Sequence, residues 1–137
     1  MLGKTTETFT ISSVESDLRL EFSEIKGEFL TVRLHSKHLT AFRKITTFTD
    51  SHGIPNLLEK LSLLEKPWDG EEGWEALEGD FAIFASCTRL GSVSFRIQLR
   101  GYSEAEDWRA ETILLTEMGQ LKKIARSAWN FFGPSPY

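Results

Sequence analysis

The chain has 137 residues, 40% of them hydrophobic, enough for one ordinary domain to bury a core without disulfides or metals. Its net charge of −4 at pH 7 argues against nucleic acid as a general partner, because phosphate binding needs a basic surface. The single cysteine, Cys87, rules out an intramolecular disulfide and favours a reducing compartment.

The N-terminal stretch, Met1 to Thr8, lacks the apolar run of a signal peptide. No apolar run approaches the roughly 20 residues that span a membrane. A cytoplasmic protein is expected, folded as a single domain over residues 1–137, with no nucleic-acid or membrane partner.

In the first third, apolar residues recur with period two, the mark of half-buried strands. Phe9 and Ile11 alternate with threonine and serine. Leu18, Leu20 and Phe22 alternate with Arg19, Glu21 and Ser23. Leu30, Val32 and Leu34 alternate with Thr31, Arg33 and His35. Breaks at 15–17 and 26–27 are short enough for hairpins. Residues 39–48 favour a strand by propensity but show no clean period.

Asp50 or Ser51 can cap a helix that tolerates Pro55 in its first turn. Ile54, Leu57, Leu58, Leu61 and Leu64 form its apolar face, so a helix is predicted over 53–65, ended by Pro67. The next stretch, Trp68 to Asp80, holds two tryptophans, three glycines and six acids in thirteen residues. It reads as a solvated loop. Phe81, Ile83 and Ala85 then point one way and Phe84 the other, as in a central strand. Residues 89–92 form a turn. Val93, Phe95, Ile97 and Leu99 alternate with Ser94, Arg96, Gln98 and Arg100. A polar loop is predicted over 101–107, a strand over 108–116 and a helix over 117–131. That helix carries Leu121, Ile124, Ala125, Ala128 and Phe132 on one face.

Hairpin-length connections imply an antiparallel sheet. The predicted class is α+β: one antiparallel sheet with two amphipathic helices packed on one face. A sandwich with the N-terminal strands folded over is the competing arrangement. Trp74 and Trp108 are expected to be mostly buried.

The acids Glu65, Asp69, Glu71, Glu72, Glu75, Glu78 and Asp80 could offer oxygens to a hard cation, but their spacing is not that of an EF-hand loop. A loop tied down by Trp68 and Trp74, with its carboxylates exposed, explains them more simply. As a partner-binding element it would combine aromatic anchors with charges that steer a basic protein. No fixed carboxylate pair supports glycosidase chemistry. His35 and His38 lack a third metal ligand at a convincing spacing. Cys87 lacks a positioned base and reads as a small buried apolar residue. Arg96 and Arg100, with Arg109 and Glu111 on the next strand, read as a cross-strand charge lattice or an anion-binding face. Nucleotide-loop, nucleophile-elbow and zincin motifs are absent, which favours a non-catalytic protein.

The segments Trp68-Asp-Gly70 and Trp74-Glu-Ala-Leu77-Glu-Gly79-Asp80 belong to a wider pattern. It continues with the Leu90–Val93 hairpin, Trp108, the Gly119-Gln-Leu121 helix start and Phe131-Phe132. This pattern, over roughly residues 57–132, resembles a bacterial family of small domains of unknown function. The resemblance implies histidines around the central hairpin. Here those positions read Cys87-Thr88-Arg89 and Gly91-Ser92, so histidine chemistry there is not expected. Size and acidity also resemble bacterial immunity proteins, which neutralise a toxin by binding it.

The expected function is therefore non-catalytic protein binding, immunity-like or regulatory, toward a protein partner that the acidic balance favours as basic. No cofactor is expected. The candidate binding residues are Trp68, Asp69, Glu71, Glu72, Glu75, Arg96 and Arg100. The competing reading is a ligand-binding or enzymatic cleft beside the Trp68–Asp80 segment.

Overall fold

The computed structural model describes residues 7–102 and 107–133. Eight strands form two four-stranded antiparallel sheets, and two helices complete the α+β fold. The first sheet is a meander of β1 (Thr8–Ser12), β2 (Arg19–Lys26), β3 (Phe29–Ser36) and β4 (Leu39–Thr46). The second is β5 (Glu72–Glu75), β6 (Phe81–Cys87), β7 (Ser92–Tyr102) and β8 (Asp107–Glu117). Helix α1 (Gly53–Ser62) connects the sheets, and α2 (Leu121–Phe132) follows a short 3-10 turn after β8.

The expected single sheet is thus two. The break falls where β4 gives way to α1, so the second half of the chain starts a new sheet. The predicted polar loop over 101–107 is also shorter. Gly101 and Tyr102 continue β7, and Asp107 already pairs in β8; the rest of that loop lies outside the described residues. The ambiguous stretch 39–48 supplies β4, and the predicted loop 68–80 contains β5.

Period-two patterning sends Phe9, Ile11, Leu20, Phe22, Leu30, Val32 and Leu34 inward from the first sheet. Phe81, Ile83, Val93, Phe95, Ile97 and Leu99 point inward from the second, and all join one hydrophobic cluster. Phe22 is its hub. Its ring stacks on Phe9 at 5.4 Å, meets Phe81 edge-on at 5.9 Å and touches Phe132 at 6.2 Å. Both sheets and α2 meet there.

The helices pack on each other, with α1 beside β5 and α2 beside β1. Ile54, Leu57, Leu58 and Leu61 are buried from α1, and Leu121, Ala125, Ala128 and Phe131 from α2. The Trp129 indole N–H donates to Glu59 Oε1 at 2.9 Å, and its ring stacks on His52 at 5.5 Å. Neither Asp50 nor Ser51 caps α1. The N-cap is His52, and Asp50 instead accepts a hydrogen bond from Trp74 Nε1 at 2.9 Å. Among the described residues no helix is long and apolar enough to cross a membrane.

Candidate functional site

The acidic segment is an ordered element. Its middle is β5, paired antiparallel to β6 from Glu72↔Ala85 to Glu75↔Ala82. The return turn is tight: Ala76 N–H donates to Phe81 C=O, and Gly79 N–H to Ala76 C=O, both at 2.9 Å. Gly79 has φ +73°, a conformation that favours glycine.

The residue before β5 reaches across the sheet. Glu71 accepts two hydrogen bonds from Arg96, from Nε at 3.1 Å and from Nη2 at 2.8 Å. The guanidinium lies over the Phe84 ring, 4.6 Å from its centroid. Phe84 in turn covers Gly73, its cross-strand neighbour, where a Cβ would collide with the ring. A flat cation between an aromatic face and a carboxylate fork is the geometry arginine suits best. The hydrogen bonds from Arg96 hold the Glu71 carboxyl below the ordinary glutamate range and push the arginine further up.

Two more acids of the segment have partners. Glu72 bonds Lys60 of α1, tying β5 to the helix. Asp80 is 3% exposed and accepts from Arg43 Nε of β4 at 2.9 Å. The expectation that all seven acids face solvent therefore fails at Asp80. It begins the run into β6, and its C=O also accepts from Arg100 N–H, so the chain there is drawn into the core. Arg43 went unnoticed in the sequence because its strand lacks a clean period.

The remaining acids, Glu65, Asp69, Glu75 and Glu78, are exposed and have no bonded cation among the described residues. Between Glu75 and Glu78 the turn holds Leu77 outward, 65% exposed. Trp68 is half-buried against the core and donates from Nε1 to Ala85 C=O at 3.2 Å.

Of the candidate residues, the fold brings Glu71 and Arg96 into contact. Arg100, further along β7, pairs with Asp107 at 3.0 Å. Arg96 also lies 3.7 Å from Glu111, which accepts from Gln98. These contacts make the outer face of the second sheet the cross-strand charge lattice anticipated from the sequence.

Trp74 is mostly covered, as expected, its ring packed on the core and over Gly53 of α1. The expectation for Trp108 needs correction. Trp108 is 39% exposed. It belongs to the inward row of β8, but sits at the end of the strand, over Gly101. Cys87 is half-buried rather than buried, and that burial pushes its thiol up. His35 bonds the Thr40 hydroxyl in the β3–β4 hairpin, where His38 N–H meets Ser36 Oγ. Among the described residues no three metal-ligating side chains converge.

A groove of about 750 Å³ beside the segment is lined by the continuous stretch from Leu63 to Asp69. A second, of about 420 Å³, runs from Pro67 past the β6–β7 turn to Met118. Neither brings the Glu71–Arg96 pair to its wall.

The model of one protein family, described as a family of unknown function (DUF6228), matches residues 10–135. No curated protein matches the chain, and no solved structure does.

Proposed function

The chain belongs to that family, and from its geometry we propose that it is a non-catalytic binding protein with an immunity-like or regulatory role. Its partner is a protein with a basic surface. The contact is the β5–β6 hairpin and the stretch leading into it. One observation carries this reading: the hairpin presents exposed Leu77 between Glu75 and Glu78, whose carboxylates have no bonded cation among the described residues. An apolar anchor ringed by acids suits a partner with a pocket and a basic rim. The Glu71–Arg96 clamp, the Glu72–Lys60 pair and the Gly79 turn hold the hairpin in place before binding, which lowers the ordering cost.

Capture from cells of the native host tests it. Wild type and a Leu77→Ala/Glu75→Gln/Glu78→Gln variant serve as baits. A protein retained by wild type and lost by the variant is the expected result. A protein retained equally by both, with the variant still folded by circular dichroism, would remove the hairpin from the interface.

A further inference from the structure

The four outer strands of the two sheets are not protected alike. Helix α2 lies against β1 and α1 against β5. On β4, Arg43 points inward to Asp80, and an inward charge discourages a further strand. On β8 the fold covers one position. Val14 N–H donates to Leu115 C=O at 2.9 Å, and Leu115 N–H reaches Ser13 Oγ at 3.4 Å. The main-chain groups of Leu115 therefore point away from β7. Strand periodicity turns those of Asp107, Arg109, Glu111 and Ile113 the same way. No strand pairs with them among the described residues.

We infer that this open stretch, residues 107–113 of β8, pairs antiparallel with the same stretch of a second copy of the chain, joining two four-stranded sheets across a two-fold axis. Charge and the number of paired groups select the register. With Ala110 opposite Ala110 of the copy, each Arg109 faces a Glu111, and each such pair exchanges two main-chain hydrogen bonds. A register centred on Glu111 sets two glutamates face to face, and one centred on Arg109 sets two arginines. One centred on Trp108 would also oppose Asp107 to Arg109, but would leave Glu111 and Ile113 without partners among the described residues. Centring on Thr112 would require the Leu115 groups already bonded to Ser13 and Val14.

Arg109 is placed to take such a partner. It lies directly opposite Arg100, whose carboxylate is Asp107, and it has no hydrogen-bonded carboxylate among the described residues. The same pairing covers apolar surface. Ile113 is 59% exposed, and Trp108 and Ala110 line a groove of about 440 Å³ shared with Leu39, Ala41 and Phe42. The interface is isologous, so the assembly closes as a dimer.

Sedimentation velocity over a range of concentrations, on the purified chain, provides the test. Wild type is expected to dimerise. Arg109→Glu alone and Glu111→Arg alone are expected to sediment as monomers, because each leaves like charges opposed. The double variant is expected to recover the dimer. In a Cys87→Ser background, Ala110→Cys is expected to form a disulfide-linked dimer on oxidation, and Thr112→Cys is not. Wild type that remains a monomer at every concentration overturns the inference. So does a dimer indifferent to both charge reversals, or one cross-linked through Thr112→Cys but not Ala110→Cys.

Discussion

Three glycines of this chain lie beneath aromatic rings: Gly53 under Trp74, Gly73 under Phe84 and Gly101 under Trp108. In the two sheet pairs the ring occupies the space a cross-strand side chain would fill, a known remedy for a glycine in a strand. Gly101→Ala is expected to destabilise the fold by about 1–3 kcal/mol, as overpacking does. In a Trp108→Ala background it should cost much less. Urea denaturation of the four-member cycle measures the coupling, and equal costs in both backgrounds would mean the indole is not the obstacle. The Glu71–Arg96 pair makes a pH-dependent prediction. The folded-state pKa of Glu71 is lowered by Arg96. Its contribution is therefore present above the ordinary glutamate range and lost as pH falls through the folded value. Wild type should exceed Glu71→Gln in melting temperature at neutral pH. That advantage should fade as pH falls through the lowered folded-state value. An undiminished difference in acid would show that the carboxylate charge is irrelevant.

At the scale of elements, periodicity made the strands around Phe9, Leu20, Val32, Phe81 and Ile97 legible, and both helices. Most have one wet and one dry face, the strand from Phe81 is apolar on both, and hydropathy reports either pattern. Where a segment is wet on both sides or carries an inward charge, the signal fails. β4 alternates exposed Thr40, Phe42 and Lys44 with half-buried Leu39, Ala41 and Arg43, so its period is blurred. β5 reads Glu-Gly-Trp-Glu, with no apolar alternation to mark it as a strand. Asp50 has the chemistry of a helix cap, and nothing in sequence announces an indole 24 residues away. The site was legible in part: the exposure of Asp69 and Glu75 follows from composition, whereas the pairing of Glu71 with Arg96 depends on sheet register. β4 and β6 are tied by Arg43 and Asp80, and Asp80 Oδ1 has no partner among the described residues. Asp80→Ala should cost about 1–3 kcal/mol, since Arg43 loses its carboxylate. Chemical denaturation measures it, and no loss would mean that the two sheets do not depend on this link.

For the whole molecule, one core joins both sheets to α2, and Phe22 lies at its centre. Phe22→Ala should cost about 3–5 kcal/mol and weaken both sheets together, giving one transition by fluorescence and by circular dichroism. Separate transitions would mean that the sheets unfold independently. On this shared core the β5–β6 hairpin is an acidic projection, and the binding proposed for it turns on charge and rate. Asp69, Glu75 and Glu78 are exposed, so their pull on a basic partner acts during approach and is screened by salt. The decisive measurement is the association rate with the captured partner against ionic strength, for wild type and for Asp69→Asn/Glu75→Gln/Glu78→Gln. The variant should associate more slowly at low salt, converge with wild type at high salt and dissociate at nearly the wild-type rate. Association at the wild-type rate in low salt would contradict a binding role for the acidic hairpin.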